Sequence, residues 1–251
     1  MNQERRNEIV KLIDGQGTAT NTELMRRFDI SIETVRRDLA HLEKQGLIER
    51  VYGGAVKKKY RKIEPKYDSR EQKNLAEKEA IAKEAIKLIE SSSAVYFDIG
   101  TTVAAVAERV EENLNITAVT NSLHAAIILA EKGIKVAVTG GNLRYDEYAL
   151  SGNMSQENIK RFNLDVAFIS VGGITEDGVN DYTEADADLR RTVIQNAKRV
   201  VVLADSSKFG VRTMCNVCGL EEIDILITDE KIPSDLVKRF EKKGVTVIVA
   251  K

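Results

Sequence analysis

One apolar run in this 251-residue chain ends in the sequence DIGTT, which contains Asp98, Gly100, Thr101 and Thr102 and precedes a helical pattern from about Val103. Backbone N–H groups at a helix N-terminus attract anions, and the two threonine hydroxyls add hydrogen-bond donors. The stretch therefore indicates a site for a phosphorylated metabolite, which the protein either transforms or senses.

Two later apolar runs end in a similar way, in the groups Thr120-Asn121-Ser122 and Gly140-Gly141-Asn142. Ligands of open α/β sheets bind at the carboxyl ends of the strands, where such groups would meet. Small polar residues also serve as ordinary helix caps, so each group alone is a weak signal. Three groups at equivalent strand ends favour a binding site.

Charged residues could complete this site. A further apolar run ends at Asp205 and is followed by Lys208, a cation that could pair with a phosphate or instead form a surface salt bridge. The stretch 178–191 supplies Asp181, Glu184 and Asp186, whose carboxylates could accept hydrogen bonds from sugar hydroxyls. The same acids are equally typical of a helix N-terminus, where they offset the helix dipole.

The elements that must position these residues follow from the apolar pattern. Short runs rich in β-branched residues alternate with helical segments, which predicts an α/β domain with a mostly parallel sheet covered on both faces. Alanine, glutamate and lysine in 69–91 predict a helix before the first strand. The predicted strands are 94–98, 116–120, 134–140, 165–171, 199–205, 224–229 and 245–250.

Charge divides the chain into two parts. Residues 1–62 carry 14 Lys+Arg against 9 Asp+Glu, whereas the rest carries 24 against 30. A basic head on an acidic body fits a nucleic-acid-binding module joined to a second domain, although chance clustering could give the same balance. No apolar run approaches the ~20 residues of a membrane helix, and no signal-peptide pattern is present. We therefore expect a cytoplasmic protein without a membrane partner.

Metal and cofactor chemistry have few candidate residues. Cys215 and Cys218 have a spacing that could be half of a zinc site or a redox pair, but the two histidines, His41 and His124, lie far away in the sequence. We expect two ordinary thiols, no metal site and no cofactor. Histidine-dependent catalysis also has few candidates.

The basic head contains three predicted helices. The first lies within 3–14, the second runs from 21 to about 28 behind a T-x-x-E capping box at Thr20, and the third has Ser31 as its N-cap and ends at Gly46. The helical spacing of apolar residues predicts that the third helix buries one apolar stripe against the first two helices. The residues expected in this core include Ile9, Leu12, Ile13, Val35, Leu39 and Leu42.

The third helix is predicted to read DNA. Two short helices joined by a tight turn, with basic and polar side chains at the start of the second, form a helix-turn-helix whose second helix enters the major groove. Arg36 and Arg37 could each donate two hydrogen bonds to guanine or pair with phosphates, or they could be solvated charges bridged to Glu33 and Asp38. The residues expected at the DNA are Thr20, Ser31, Ile32, Glu33, Thr34, Arg36 and Arg37.

A wing is predicted after the third helix. The sequence LIERVYGGAV indicates two short strands around a glycine turn, and Lys57 and Lys58 in the basic run that follows would contact phosphates unless they belong to a charged linker. We divide the chain into a winged helix-turn-helix domain at 1–58, a linker at 59–74 and a larger α/β sensor domain at 75–251.

The stretch from Arg5 to Ala55, especially SIETVRRDLAHLEKQGLIERVYGGA, closely resembles the winged helix-turn-helix of the DeoR family of bacterial transcriptional regulators. The body is similar to the sensor domain of that family in FDIGTT, VTNS, TGGNLR, LSG, VGGI and ADSSKFG, so the resemblance covers nearly all of residues 5–230. It implies a helix-turn-helix proper at about 20–39. It also implies a sensor domain with a fold like that of ribose-5-phosphate isomerase and glucosamine-phosphate deaminase.

The resemblance further implies double-stranded operator DNA and a phosphorylated sugar or close derivative as partners. A homo-oligomer, either a dimer or a tetramer, would hold paired heads on repeated half-sites. By this resemblance the effector would be held by Gly100, Thr101, Thr102, Asn121 and Lys208, with Asp98, Thr120 and Asp205 shaping the site. The remaining candidate effector-binding residues are Ser122, Gly140, Gly141, Arg144, Asp181 and Glu184.

The choice between enzyme and sensor depends on one loop. Related isomerases carry an acidic residue at the end of the strand that corresponds to 165–171, where this chain has Gly172. A pocket that lacks its general acid/base can bind a sugar phosphate but should not transfer protons efficiently. We therefore expect a repressor of a carbohydrate operon controlled by a phosphorylated sugar, and not an enzyme. The alternatives are an activator, a DNA-binding protein without an effector, or an isomerase-like enzyme that uses Asp181 or Glu184.

Overall fold

Two compact units make up the chain, Met1–Tyr60 and Arg61–Lys251. The computed structural model describes residues 2–16, 18–45, 47–51, 53–57 and 64–251. Gly46, Lys58 and the first part of the expected linker, 59–63, thus lie outside the described residues.

The rest of the expected linker belongs to the second unit. A short helix, α4 (Tyr67–Glu71), forms within 64–74. Tyr67 is buried, and its ring stacks on that of His124 with 4.1 Å between the ring centroids. This aromatic contact packs the C-terminal part of the expected linker, 59–74, against the second unit.

The first unit is a winged three-helix domain. Its elements are α1 (Asn2–Gln16), β1 (Thr18–Thr20), α2 (Asn21–Phe28), α3 (Ile32–Lys44), β2 (Ile48–Val51) and β3 (Gly54–Lys57). The strands form an antiparallel sheet in the order β1-β3-β2. Thr20 accepts a hydrogen bond from the backbone N of Glu23 at 3.1 Å, and Ser31 accepts one from that of Thr34 at 3.3 Å, so both residues are N-caps as predicted. The return hydrogen bond of a capping box, from the backbone N of Thr20 to the Glu23 side chain, is not found among the described residues. The predicted core residues are all buried, together with Leu24, Ile48 and Ala55.

The second unit contains a seven-stranded parallel sheet, and each predicted run supplies one of its strands. The strands are β4 (Ala94–Phe97), β5 (Thr117–Thr120), β6 (Lys135–Val138), β9 (Val166–Ile169), β12 (Val200–Leu203), β14 (Ile225–Asp229) and β15 (Thr246–Ala250). Their order is β15-β14-β12-β9-β4-β5-β6. Shorter strands lie outside this sheet and are β7 (Asn142–Arg144), β8 (Ala149–Ser151), β10 (Gly173–Thr175), β11 (Gly178–Asp181) and β13 (Cys215–Cys218).

Helices cover both faces of the sheet. Alternate strand residues point to opposite sides, and both sets are apolar, so each face needs a cover. Tyr96 and Ile169 contribute to one core and Phe97 and Phe168 to the other. The first core is covered by α8 (Asn153–Ile159), α9 (Glu184–Asn196) and α10 (Ser234–Glu241), and the second by α5 (Leu75–Ala85), α6 (Thr101–Ala107) and α7 (Leu123–Glu131). No helix among the described residues is long and apolar enough to cross a membrane.

The strand order reverses between β4 and β9. From β4 the chain proceeds outward through β5 to β6, whereas from β9 it proceeds the other way through β12 and β14 to β15. Open α/β sheets bind ligands at the carboxyl ends of the strands on either side of such a switch point. The fold therefore places the candidate site where Asp98 leaves β4 and Ser170 leaves β9.

Candidate effector site and DNA-reading helix

A buried ion-pair network closes the switch point. Oδ2 of Asp98 accepts hydrogen bonds from the backbone N of Ser170 at 3.0 Å and from Nε of Arg190 at 2.6 Å. The guanidinium of Arg190 also donates to Asp181, and the three charged side chains are all buried. Burial raises the pKa of Asp98 to about 6, although the guanidinium opposes this increase.

The loop after Asp98 approaches β9 closely. Gly100 is the N-cap of α6 with φ 103°, a conformation that favours glycine, and a Cβ at this position would lie 2.8 Å from Oγ of Ser170. Glycine has no side chain to cap the first turn of α6, so the N–H groups of that turn can bind another acceptor. Thr101 and Thr102 are buried in the same turn. The predicted anion loop is thus built from backbone and small hydroxyls.

The group at the end of β5 is held by internal hydrogen bonds. Thr120 Oγ1 donates to the backbone O of Phe97 at 2.6 Å, and Asn121 Oδ1 accepts from the hydroxyl of Tyr96 at 2.7 Å. Ser122 caps α7. These side chains fix the end of β5 against β4.

The two glycines after β6 adopt left-handed backbone conformations, and the second is also required by packing. Gly140 and Gly141 have φ values of 70° and 113°. A Cβ on Gly141 would lie 2.5 Å from the backbone O of Ser151, at the end of β8. Gly141 thus allows the start of β7 to approach β8 and α8 closely, and Arg144 is the last residue of β7.

Arg144 belongs to a second charged cluster. Its Nη1 donates to Oε2 of Glu64 at 2.6 Å, and its Nη2 lies 2.9 Å from Oδ2 of Asp186. Oε1 of Glu64 lies 3.6 Å from Nη2 of Arg70, and the same Nη2 pairs with the buried carboxylate of Glu147. The cluster therefore joins the segment 64–71 to β7 and α9.

Asp186 connects this cluster to the switch point. It lies in the first turn of α9, where it accepts a hydrogen bond from Thr183 Oγ1 at 2.7 Å. Burial acts to lower the pKa of Arg190, but the charges of Asp181, Asp98 and Asp186 together raise it. One face of α9 thus presents both the carboxylate of Asp186 and the guanidinium of Arg190 to the site.

Two lysines, Lys208 and Lys78, are associated with the residues that follow β12. Asp205 Oδ1 accepts a hydrogen bond from Nδ2 of Asn74 at 3.0 Å, and Lys208 lies half-buried in the short 3-10 helix that follows. Lys78 of α5 is buried, and its Nζ donates to the backbone O of Arg70. Burial lowers the pKa of Lys78, whereas the charge of Asp205 raises it.

Glu184 is not part of this network. It is the first residue of α9 and is exposed, which suits the helix-dipole interpretation of this residue. Cys215 and Cys218 are free thiols on β13, and burial raises the pKa of Cys218 to about 12. Within the described part of the chain, no three His, Cys, Asp or Glu side chains are grouped to hold a metal ion.

Sequence reasoning missed most basic residues of the site. Arg190 lies on α9 between the buried residues Ala187 and Val193, and Lys78 lies three residues before the buried Ile81. A basic residue inside an apolar helical stripe is the signal that could have identified both, because buried charges require partners. Arg70 and Glu64 gave no such signal.

The third helix of the first unit presents the predicted arginines. Arg36 and Arg37 are exposed, whereas Asp38 is buried and is bound by Arg5 and Arg6 of α1, each at 2.7 Å. The alternative in which Asp38 bridges to Arg36 or Arg37 is therefore not found, and neither arginine forms an ion pair with another described residue. Asp38 instead attaches α3 to α1.

The other residues expected at the DNA differ in exposure. Glu33 and Ser31 are exposed at the start of α3, and Ile32 and Thr34 are half-buried. Thr20 and Ser31 act as helix caps. Lys57 is the last residue of β3.

A winged three-helix unit that exposes arginines on its last helix, followed by an α/β unit with a polar site at its switch point, defines a DNA-binding regulator with a sensor domain. Comparison with known families agrees, because residues 5–60 match the DeoR-like helix-turn-helix domain and residues 73–230 match the DeoR C terminal sensor domain. The chain belongs to the DeoR family of transcriptional regulators.

Curated relatives match over almost the full length. The HTH-type transcriptional regulator GolR of Listeria innocua is 35% identical over 98% of each chain. A putative aga operon transcriptional repressor of Escherichia coli is 34% identical over 98% of this chain and 93% of its own. The glycerol-3-phosphate regulon repressor of Escherichia coli is 32% identical over 92% of each. Among solved structures, ribose 5-phosphate isomerase A of Methanocaldococcus jannaschii is 21% identical over 54% of this chain and 55% of its own, with a TM-score of 0.41.

Proposed function

We propose that the protein represses a carbohydrate-use operon and that a phosphorylated sugar controls its binding to the operator. The main support is the presence, in one chain, of a helix that exposes Arg36 and Arg37 and of a glycine-threonine loop at the switch point of a sensor unit. Relatives named as repressors of the aga operon and of the glycerol-3-phosphate regulon support a carbohydrate target.

The DNA-binding half acts through α3. Its exposed Glu33, Arg36 and Arg37, with Thr34 beside them, contact base edges in the major groove, where a bidentate arginine discriminates by about 1–3 kcal/mol. Lys57 and Lys58 contact phosphates and add affinity that decreases with salt. A homo-oligomer, either a dimer or a tetramer, supplies two such helices to an operator with repeated half-sites.

The sensor half binds the phosphate at the loop Gly100-Thr101-Thr102. Lys208 provides a positive charge, and Asp98 and Asp205 accept hydrogen bonds from hydroxyls of the sugar. Asp181 acts by holding Arg190 in place. The residues that shape the wall around this loop are Thr120, Asn121, Ser122, Gly140, Gly141 and Arg144.

The site binds without catalysing. A Cβ on Gly172 would lie 3.0 Å from Cε2 of Tyr182, so an acidic side chain does not fit at that position without movement. Asp181 is engaged by Arg190 and by the backbone N of Tyr182, and Glu184 is exposed. The engagement of Asp181 by two donors and the exposure of Glu184 both support a site that binds without transferring protons.

A panel of phosphorylated sugars, each paired with its unphosphorylated parent as the control, tests this function. The thermal midpoint of the full chain is measured first, because a ligand at 100 times its Kd stabilises the folded state by about 2.7 kcal/mol. Each sugar phosphate that binds is then added to a gel shift with an operator selected from random duplexes. We expect a phosphorylated sugar to stabilise the protein and to weaken the DNA complex.

Three results would contradict the proposal. Equal stabilisation by the parent sugars would exclude phosphate recognition. A sugar phosphate that stabilises the protein but leaves its DNA affinity unchanged at constant ionic strength would exclude control of the operator. Turnover of a sugar phosphate at an ordinary enzymatic rate, about 1 to 1,000 per second, would show that the sensor is an enzyme.

A further inference from the structure

The carboxylate of Glu64 occupies a position between two arginines from different elements. Oε2 accepts a hydrogen bond from Nη1 of Arg144 on β7 at 2.6 Å, and Oε1 lies 3.6 Å from Nη2 of Arg70 on α4. The side chain of Glu64 is only 14% exposed. Two guanidinium groups that converge on one carboxylate have the chemistry of an oxyanion-binding site.

The two arginines have more donors than Glu64 uses. Nε of Arg70 and Nε of Arg144 are buried and have no hydrogen-bond partner among the described residues. Arginine has five N–H donors in a fixed planar arrangement, and a phosphate offers three oxygens where a carboxylate offers two. A phosphate between the two side chains could therefore satisfy donors that Glu64 leaves unpaired.

Other contacts hold the arginines when Glu64 is absent. Arg70 retains its ion pair with the buried Glu147, and Arg144 retains its contact with the buried Asp186. Glu64, by contrast, is bound in this cluster only through the two arginines. Removal of Glu64 therefore leaves each arginine with a buried acidic partner.

We propose that Arg70 and Arg144 form an oxyanion-binding subsite of the sensor unit, which Glu64 occupies in this structure and from which an anionic group of the ligand displaces it. The ligand class is a compound with a phosphate or a carboxylate. That this compound is the effector rests on the proposed function, but the subsite itself does not. Glu64 lies seven residues after the end of β3, at the start of the described segment that leads from the DNA-binding unit into the sensor. Because the ligand and the Glu64 carboxylate compete for the same two arginines, ligand binding releases this segment from the position it has here.

Inorganic phosphate binding to the full-length protein tests the subsite. Affinity is measured by calorimetry at constant ionic strength for the natural protein and for Glu64→Gln, and acetate is titrated separately as a carboxylate. If Glu64 occupies the subsite about nine-tenths of the time, its removal strengthens phosphate binding on the order of tenfold. The matched control is Glu176→Gln, which removes an exposed ion pair with Arg239 in the same unit and should leave the affinity unchanged.

A second substitution separates this subsite from the loop at Gly100. Adding Arg144→Met to Glu64→Gln should abolish the tenfold gain, because the gain depends on the released arginine. Glu64→Asp, which retains the charge but shortens its reach, should give a smaller gain and decides the question if Glu64→Gln does not fold. A gain for acetate as well as phosphate assigns the subsite to oxyanions in general, and a gain for phosphate alone assigns it to phosphates.

Two outcomes overturn the subsite. One is a phosphate affinity for the single variants no higher than that of the natural protein, and the other is a gain that survives Arg144→Met. Neither outcome bears on repression of an operon. That function is tested separately by the sugar-phosphate screen and the gel shift. Conversely, failure of every sugar phosphate to alter DNA binding would refute the proposed function while the phosphate titrations still decided the subsite.

Discussion

Replacing Arg190 with methionine tests whether the buried network holds the switch point together. Asp98 is 1% exposed, Asp181 is 4% exposed, and Arg190 contacts both. Without the guanidinium each carboxylate retains only backbone N–H donors, including Ser170 for Asp98 and Tyr182 for Asp181, and loses its cation. Removal of one partner from a buried ion pair costs about 3–5 kcal/mol. We expect Arg190→Met to lower the free energy of unfolding of the sensor unit by about this amount.

Urea titration measures the loss. The two units can unfold separately, so the transition is followed by hydrogen exchange of peptides from β4 and β9; the chain contains no tryptophan to report on it. With a slope of about 1–3 kcal/mol per molar urea, the midpoint should decrease by more than about 1 M. The control Arg239→Met removes an exposed ion pair with Glu176 and should cost about 0–1 kcal/mol. A cost below about 1 kcal/mol for Arg190→Met would refute the role of the network.

The pH dependence gives an independent check. Burial raises the pKa of Asp98 above its ordinary value of 3.8 to about 6 even beside the guanidinium, and loss of Arg190 raises this pKa further. A carboxyl with a raised folded-state pKa favours folding below its unfolded-state pKa, and this contribution is lost as the pH rises through the folded-state value. The defect of Arg190→Met should therefore be smaller at pH 5 than at pH 8. An equal defect at both values would exclude unpaired carboxylates as its cause.

Three further substitutions test the other assignments. Arg36→Ala combined with Arg37→Ala should weaken operator binding in a gel shift by about tenfold or more, whereas Lys44→Ala at the end of α3 should not; equal effects would place the contact elsewhere. Asp38→Asn should lower the free energy of unfolding of the first unit by about 1.5–3 kcal/mol in urea, because both α1 arginines lose a charged partner; an unchanged midpoint would contradict this. Gly100→Ala, strained at φ 103°, should abolish stabilisation by sugar phosphates in a thermal-shift assay while DNA binding is retained; a normal response would exclude the loop from the site.

The sequence predicted those features that depend on local pattern. Each predicted run contains one strand of the sheet, and the caps at Thr20 and Ser31 lie where the polar residues indicate. Helix periodicity also separates neighbouring residues correctly, because successive residues differ by about 100° around a helix. Arg36 and Arg37 therefore face outward between the buried Val35 and Leu39, whereas the burial of Asp38 against α1 was not predicted.

The partners of charged residues could not be predicted, since they depend on contacts distant in sequence. Arg190 meets Asp98 across 92 positions, and Arg144 meets Glu64 across 80. The location of the switch point likewise requires the strand order, which alternation of strands and helices does not specify. The polar composition of 64–74 is typical of a linker, whereas the packing of Tyr67 in this segment depends on the distant ring of His124.

The charge of the site determines how an anion can enter it. The two linked clusters contain more acids than bases, with carboxylates at Glu64, Asp98, Glu147, Asp181 and Asp186 against guanidiniums at Arg70, Arg144 and Arg190. A phosphate added to this set would increase an existing excess of negative charge at low exposure to water, which is unfavourable. Exchange of Glu64 for the ligand removes one negative charge as the phosphate arrives and releases the donors that bound the carboxylate. Displacement therefore adds less negative charge to the site than simple addition would, and it is the less costly route. It also makes the segment that begins at Glu64 respond to the ligand without any requirement for movement of the sheet.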